Sequence, residues 1–423
     1  MRLLGLCLLW LLGLTAPAAA ATIAFVGATL IDGAGGPPVA DSVVVVTDGR
    51  IVSAGPRAAV PVPNGAQRID LTGKTIMPGL INAHAHMNFD EKSAIPPQTQ
   101  LAEQLALYAR YGVTSIFVLG DDGVENFKLR AEMRANPAFA AGKAQLFLSG
   151  AEIRNPPDAA AGRAIVDRNA AAGADIIKLR IEGPPEEPVR NPAVHGAMIE
   201  AAHARNLRVA VHLYSVAEAR SFVAAGGDII AHSIRDADVD DALIAAMKVR
   251  GVAYSPTLTR DLSVFVYETT PAFVSDPFFA KEASYRAPLA QLLTPERQAR
   301  IRANPNTQTI KTALAQGKRN LKRLADAGIV IAFGTDSGAA AGRWQGYFEH
   351  LELEMMVEAG MTPMQTIVAA TGDAARVMGI GADTGTLTAG KRADLLVLGA
   401  DPLADIRNAR RLEQVWIGGA RAN

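Results

Sequence analysis

Four of the seven histidines in this chain, together with one lysine and one aspartate, each follow a short apolar run. His84 and His86 form a His-Ala-His pair at the end of residues 75–83. Lys178 follows 174–177, His212 follows 207–211, His232 follows 228–231, and Asp336 follows 329–335. Each run reads as a buried parallel strand. Polar side chains at the ends of such strands converge on one mouth of a barrel. Imidazole nitrogens and carboxylate oxygens brought to one point are metal ligands, and a metal there would activate water for hydrolysis.

The weight of each residue differs when read alone. Two histidines at i and i+2 on a strand point to one face and can chelate one ion. Asp336 could bind metal through one oxygen and accept a proton through the other, or it could cap the next helix. His212 and His232 could each be satisfied core histidines; their places on consecutive strands, beside the His-x-His pair, favour ligation. An ammonium repels metal ions, so Lys178 alone reads as a solvated or substrate-binding charge. His195 and His203, on the helix before 207–211, read as surface or packing residues. His350, on the helix after Asp336, could approach the mouth. Three candidate substrate contacts stand nearby. Tyr214 shares a side with His212 if that strand continues, Arg180 is placed similarly to Lys178, and Arg343 lies in the loop after Asp336. An arginine fork suits a carboxylate.

Eight strand candidates alternate with amphipathic stretches: 75–83, 115–119, 144–149, 174–177, 207–211, 228–231, 252–255 and 329–335. That alternation predicts an α/β fold, a (β/α)8 TIM barrel. Before it, residues 22–75 are short and β-like, with turn signals at Asp32-Gly33 and Asp48-Gly49. The last residues, 380–423, resume this style. The two ends therefore predict one small composite β-sandwich beside a barrel over 76–379. A long insertion, 257–311, carries several aromatic residues and prolines and reads either as a lid over the mouth or as a helical element packed on the barrel's side.

The chain has 423 residues, with Lys+Arg 42 balanced by Asp+Glu 42. It lacks the basic excess of a nucleic-acid binder. Residues 1–21 have one arginine, a Leu-rich run and a small-residue end, the pattern of a secretory signal peptide too short to span a membrane. This predicts an exported protein, periplasmic or secreted, with no membrane attachment after cleavage. The single cysteine, Cys7, lies in that leader, so ligands must come from nitrogen and oxygen.

Taken together, Met77-Pro78-Gly79-Leu80 leading to His84-x-His86, then Gly334-Thr335-Asp336, then the tail Gly385-Thr386-Leu387-Thr388-Ala389-Gly390-Lys391-Arg392-Ala393-Asp394-Leu395, resemble the amidohydrolase superfamily. The likeness is to its imidazolonepropionase-like and prolidase-related group and covers nearly the whole mature chain. It implies two divalent metal ions, zinc being the first expectation and manganese, cobalt or nickel the others. His84, His86 and Asp336 would hold one ion, and His212 and His232 the other. Lys178 looks like the family's carboxylated lysine, in which carbon dioxide adds to the amine and gives a bridging carbamate. Asp336 would shuttle the proton during cleavage of an amide in a small-molecule substrate, such as an Xaa-Pro dipeptide or an N-acyl amino acid. Family members often form homo-oligomers. Lactone or phosphoester hydrolysis on the same metals is the alternative chemistry, and an exported metal- or solute-binding protein without turnover is the alternative class.

Overall fold

The computed structural model describes residues 22–120, 123–183 and 191–422, so the leader read in residues 1–21 lies outside the described residues. Six strands come first: β1 Thr22–Val26, β2 Thr29–Leu30, β3 Ser42–Thr47, β4 Arg50–Pro56, β5 Gln67–Asp70 and β6 Thr75–Pro78. β3 is an almost unbroken valine run, buried along nearly its whole length between β1 and β4. Branched side chains suit that two-sided burial. The β3–β4 hairpin turns at Asp48 (φ 50°) and Gly49 (φ 76°), the backbone that a tight hairpin of this twist requires.

Eight strands follow: β7 Leu80–Ala85, β8 Val113–Val118, β9 Gln145–Leu148, β10 Ile153–Arg154, β11 Ile177–Arg180, β12 Val209–His212, β13 Ile229–Ala231 and β14 Ala253–Ser255. All their ladders are parallel, in two sheets, β7-β8-β9 and β10-β11-β12-β13-β14. Helices Pro97–Arg110, Ala159–Ala171, Pro192–His203, Val216–Ala224 and Asp241–Arg250 alternate with them. This is the α/β barrel alternation. The regular ladders do not form one closed ring, but backbone bonds cross both seams. Asp175 N donates to Leu148 O (2.7 Å) between the sheets. On the other side, residues 329–337 lie between β14 and β7, with Ala332 N on Tyr254 O (2.9 Å) and Ala83 N on Phe333 O (2.8 Å).

The chain ends in β15 Leu395–Leu398, β16 Leu412–Ile417 and β17 Ala420–Arg421. β15 pairs antiparallel with β6, which places strands from both termini in one sheet of order β17-β16-β15-β6-β2. That sheet and the β4-β3-β1-β5 sheet enclose Phe25, Val44, Val46, Ile76, Leu395, Val397 and Trp416. Phe25 and Trp416, from opposite ends of the sequence, meet edge to face at 5.0 Å.

Three sequence expectations need correction, and one left open between two readings is decided. The run 75–83 is not one strand. It divides at Gly79, whose Cβ would lie 2.2 Å from Thr114 Oγ1, so β6 belongs to the small sheet and β7 begins the barrel. The run 174–177 is shifted: the ladder spans Ile177–Arg180, and Lys178 is inside it. In place of a regular strand, 329–335 has single bridges, Tyr254 with Ile331 and Ala85 with Ser337. The insertion 257–311 packs mainly on the flank, where Tyr267, Phe279, Tyr285 and Leu292 join Tyr111, Trp344, Tyr347 and Phe348 in an aromatic cluster. Only its first helix, Leu258–Phe265, reaches the mouth, through Arg260.

Candidate metal centre

Register explains why the site forms. Lys178 pairs with Ala210, and Ala210 with Ile229, and both partners lie in the barrel's interior cluster. Lys178 therefore points inward although it is a lysine, and it is 1% exposed. One step toward the mouth, Arg180 pairs with His212 and His212 with Ala231. His232 follows immediately. It has φ 78°, Thr257 has φ 47° and Asp336 has φ 59°. Non-glycine residues in left-handed backbone carry strain; two of these, His232 and Asp336, line one cavity, and Thr257 bonds the His232 ring.

The side chains converge. His84 and His232 have ring centroids 4.5 Å apart, His212 and His232 4.3 Å, and His84 and His86 5.5 Å. Asp336 Oδ1 lies 2.8 Å from His86 Nε2 and 3.3 Å from His84 Nε2. Lys178 Nζ is 3.4 Å from His84 Nε2. His84, His232 and Asp336 offer ligand atoms all within 4.8 Å of one another. All six residues expected as ligands line one cavity of about 270 Å³.

Electrostatics keep the donors in the forms that ligation needs. Burial lowers His84 and His232 well below the ordinary imidazole range, with neighbouring cations and imidazoles adding to it. Burial pushes His212 down to about 3 against the opposing pull of Glu182, whose carboxylate is 2.9 Å from His212 Nε2. Burial pushes Asp336 up, yet Arg343, His86 and His84 outweigh it and hold the carboxyl well below its usual range. Burial brings the Lys178 amine down to about 8, with Glu152 and Asp336 resisting.

The substrate contacts expected from sequence divide. Arg180 and Arg343 line the cavity. Arg343 bonds Asp336 Oδ2, and its Nε is fixed on Ser263 Oγ at 2.9 Å. Tyr214 is not part of the cavity lining: β12 ends at His212, the alternation stops, and the Tyr214 ring lies against the Arg235 guanidinium at 4.7 Å. His350 is also away from the mouth, buried with Nε2 on Tyr111 O at 2.8 Å. His195 is buried in its helix, and His203 pairs with Asp228 at the surface.

Other residues were not anticipated. Thr257 Oγ1 lies 2.8 Å from His232 Nδ1 and orients that ring. Glu349, fully buried, accepts from Asn82 Nδ2, Thr335 Oγ1 and Ser337 Oγ, and so braces the segments that carry His84 and Asp336. Asn82 was the available signal, an amide inside an otherwise apolar run. Arg154, Arg260 and Glu152 complete the charged lining.

The sequence profile of the amidohydrolase family matches residues 75–421. The chain belongs to the amidohydrolase family. Its fold matches a protein of Bifidobacterium longum assigned as a prolidase, with TM-score 0.76, 27% identity, and coverage of 95% of this chain and 94% of that one. A Xaa-Pro dipeptidase with methionine in its active site superposes with TM-score 0.74 over 95% of this chain and 99% of its own, at 20% identity, a likeness of fold. These barrels put the amidohydrolase architecture beyond the local ladders. Curated relatives match over short stretches. The imidazolonepropionase of Caulobacter vibrioides is 49% identical over 51 residues, 12% of this chain and 13% of that protein. A 5-methylthioadenosine/S-adenosylhomocysteine deaminase of Symbiobacterium thermophilum is 52% identical over 46 residues, 11% of each.

Proposed function

We propose that this amidohydrolase is a hydrolase of carbon–nitrogen bonds, cleaving an amide in a dipeptide or N-acyl amino acid with two divalent cations. The observation that carries this reading is the convergence of His84, His86, Lys178, His212, His232 and Asp336, from separate barrel positions, on one cavity. The donor set fits divalent metal: buried neutral imidazoles, an anionic carboxylate, and His84 Nδ1 buried without a hydrogen-bond partner among the described residues. His84, His86 and Asp336 would hold one ion, His212 and His232 the other.

Lys178 is the member whose charge conflicts with this role, and its environment supports the carbamate reading. An amine pulled down to about 8 has an appreciable neutral fraction near neutral pH. The neutral amine can add carbon dioxide, forming a nitrogen–carbon bond and releasing one proton. The product is an anion, which would remove the conflict between the lysine's charge and bound cations.

When bound, the metal pair supplies Lewis-acid polarisation of the carbonyl and activation of water. The protein's own part is proton handling and positioning. Asp336 accepts the water proton on a carboxylate oxygen and returns it to the leaving nitrogen. That return is needed because an amide anion is a poor leaving group. Thr257 fixes the His232 ring, and Arg180 and Arg343 offer guanidinium donors to a substrate carboxylate. The leader motif in residues 1–21 supports export and removal of that segment; among the described residues no helix is long and apolar enough to cross a membrane.

The test is hydrolysis by the mature protein, loaded with zinc and bicarbonate, of a panel of dipeptides and N-acyl amino acids scored by mass spectrometry. Release of a free amino acid is expected. Cleavage only of lactone or phosphotriester controls would move the assignment to ester chemistry on the same residues. N-terminal sequencing of exported protein should begin near residue 22; protein retained whole in the cytoplasm would overturn the export reading.

A further inference from the structure

The helix Leu258–Phe265 begins after Thr257, and a threonine in that place ordinarily caps its own helix. Its backbone is then extended, and its hydroxyl accepts from an N–H of the first turn. Thr257 does neither. Its backbone is left-handed, with φ 47° and ψ 51°, and its side chain makes no capping bond. The hydroxyl oxygen lies instead 2.8 Å from His232 Nδ1. The first N–H groups of a helix have no partner within it. Here Thr257, Leu258 and Thr259 are all buried, so water is no substitute, and buried donors left unpaired are costly.

Another helix supplies the cap. Glu352, on the helix Tyr347–Glu358, accepts from Leu258 N on one carboxylate oxygen at 2.7 Å. The other oxygen accepts from Thr259 N and Thr259 Oγ1, each at 2.7 Å. Arg260 N closes on Thr257 O at 3.1 Å. The first three N–H groups of the helix are thus satisfied without the Thr257 hydroxyl. Glu352 is fully buried, and burial pushes its carboxyl up to about 7 against the pull of these bonds. A buried acid is a costly cap where the threonine beside the helix carries a hydroxyl of its own. Three residues earlier, on the same face of the helix, Glu349 makes the corresponding bonds to Asn82, Thr335 and Ser337. One helix therefore reaches two groups of candidate ligands. Glu349 braces the segments of His84 and Asp336, and Glu352 braces the segment that orients His232.

We propose that Glu352 is a positioning residue of the metal centre, capping the helix Leu258–Phe265 from outside and so leaving the Thr257 hydroxyl to hold the His232 ring. With Nδ1 turned to Thr257, Nε2 is the His232 nitrogen left for a metal, and Nδ1 then carries the proton. The Thr257 oxygen accepts that proton's hydrogen bond. Capping would use the same oxygen as acceptor, in a different direction. Without the Glu352 carboxylate, the unpaired N–H groups of Leu258 and Thr259 compete with His232 for it. Thr257 then relaxes toward ordinary cap backbone, and its hydroxyl turns from the ring to the helix. The inference rests on the reading of His232 as a metal ligand and on no feature of the substrate.

The test is a double-mutant cycle on zinc affinity of the full-length mature protein, read by competition with a chelator, with thermal melting used to verify that the variants are folded. Glu352→Gln should weaken zinc binding about tenfold, the same effect as Thr257→Ala. The double variant should bind zinc no more weakly than either single one, because both changes release the same ring. Glu352→Asp, which withdraws the carboxylate by one methylene, takes its place if Glu352→Gln fails to fold. A Glu352 variant that melts lower yet keeps wild-type zinc affinity would make the residue a helix cap alone and overturn the inference. A double variant about a hundredfold weaker, the product of independent effects, would overturn it too. His232→Ala separates this failure from that of the underlying reading. If it leaves zinc affinity unchanged, His232 is no ligand, and the reading of the site falls with the inference. If it weakens zinc binding while the Glu352 variants do not, the inference falls alone.

Discussion

Inside the composite sandwich the buried side chains are Phe25, Val44, Val46, Ile51, Leu395, Val397 and Trp416; at the barrel mouth they are His84, Lys178, His212, His232 and Asp336. The sandwich does bury one charge, Asp394. It accepts from Arg392 Nε, Gly418 N, Gln145 Nε2 and Thr384 Oγ1, so every lone-pair direction is used. Among the described residues Lys178 has one polar neighbour within hydrogen-bond distance, an imidazole that is itself no anion. Burying an ionised group costs free energy unless it is paired. One region is thus built for stability and satisfies its exception. The other keeps a buried lysine without an anion in hydrogen-bond distance and leaves His84 Nδ1 without a partner among the described residues, the departure from local consistency that marks a functional site.

Four changes test that contrast, taken from the largest effect down. Asp336→Asn should lower turnover by about 10²–10⁴-fold, the usual range for a lost general base, while thermal melting changes little. Near-native rates of hydrolysis would remove Asp336 from the reaction. Trp416→Ala, in the sandwich, should do the opposite, costing roughly 3–5 kcal/mol in denaturant unfolding by leaving a void beside Phe25. Metal-loaded protein that still folds should keep its turnover. If the site failed in step with the sandwich, the two regions would not be separable.

Lys178→Met should improve the metal-free protein. Its folded amine lies at about 8 against an ordinary 10.5, a difference of roughly 3 kcal/mol. Below pH 8 the lysine is charged in both states and the burial penalty is present in full. It is relieved as pH rises from about 8 to 10.5. Metal-free wild type should therefore gain stability across that window, and the methionine variant, already more stable below pH 8, should not. The same variant should bind less metal by elemental analysis. A variant destabilised at pH 7, or one retaining two tightly held ions, would contradict the role given to Lys178. Smallest is Thr257→Ala, which frees the His232 ring and should weaken zinc binding about tenfold in competition with a chelator. An unchanged affinity would mean that burial alone orients His232.

How much was legible follows from the kind of signal each feature leaves. His84 and His86, His212, His232 and Asp336 were visible because each interrupts an apolar run at its end, and a buried parallel strand is recognisable by that run. Lys178 was visible, but its register was misjudged: Ile177–Arg180 is the paired segment, and only the pairing with Ala210 sets which way Lys178 points. Tyr214 failed because the alternation argument assumed a strand that stops at His212. Thr257, Glu349 and Arg260 left no mark that separates them from capping, surface or helical polar residues. Their roles depend on partners 12 or more residues away, or across the cavity.

By itself the sequence determined most of the element types, the alternation that makes an α/β barrel, the β character of the two ends and the identity of the residues at the strand ends. These are local properties, written in hydrophobic period and turn chemistry. Tertiary structure decided the rest: the division at Gly79, the flank position of the aromatic insertion, the rings brought within 4.3–4.5 Å of one another, and the arginines gathered at one cavity. The reason is that strand register and barrel position are set by packing among distant segments, and a one-residue change of register turns every side chain to the opposite face.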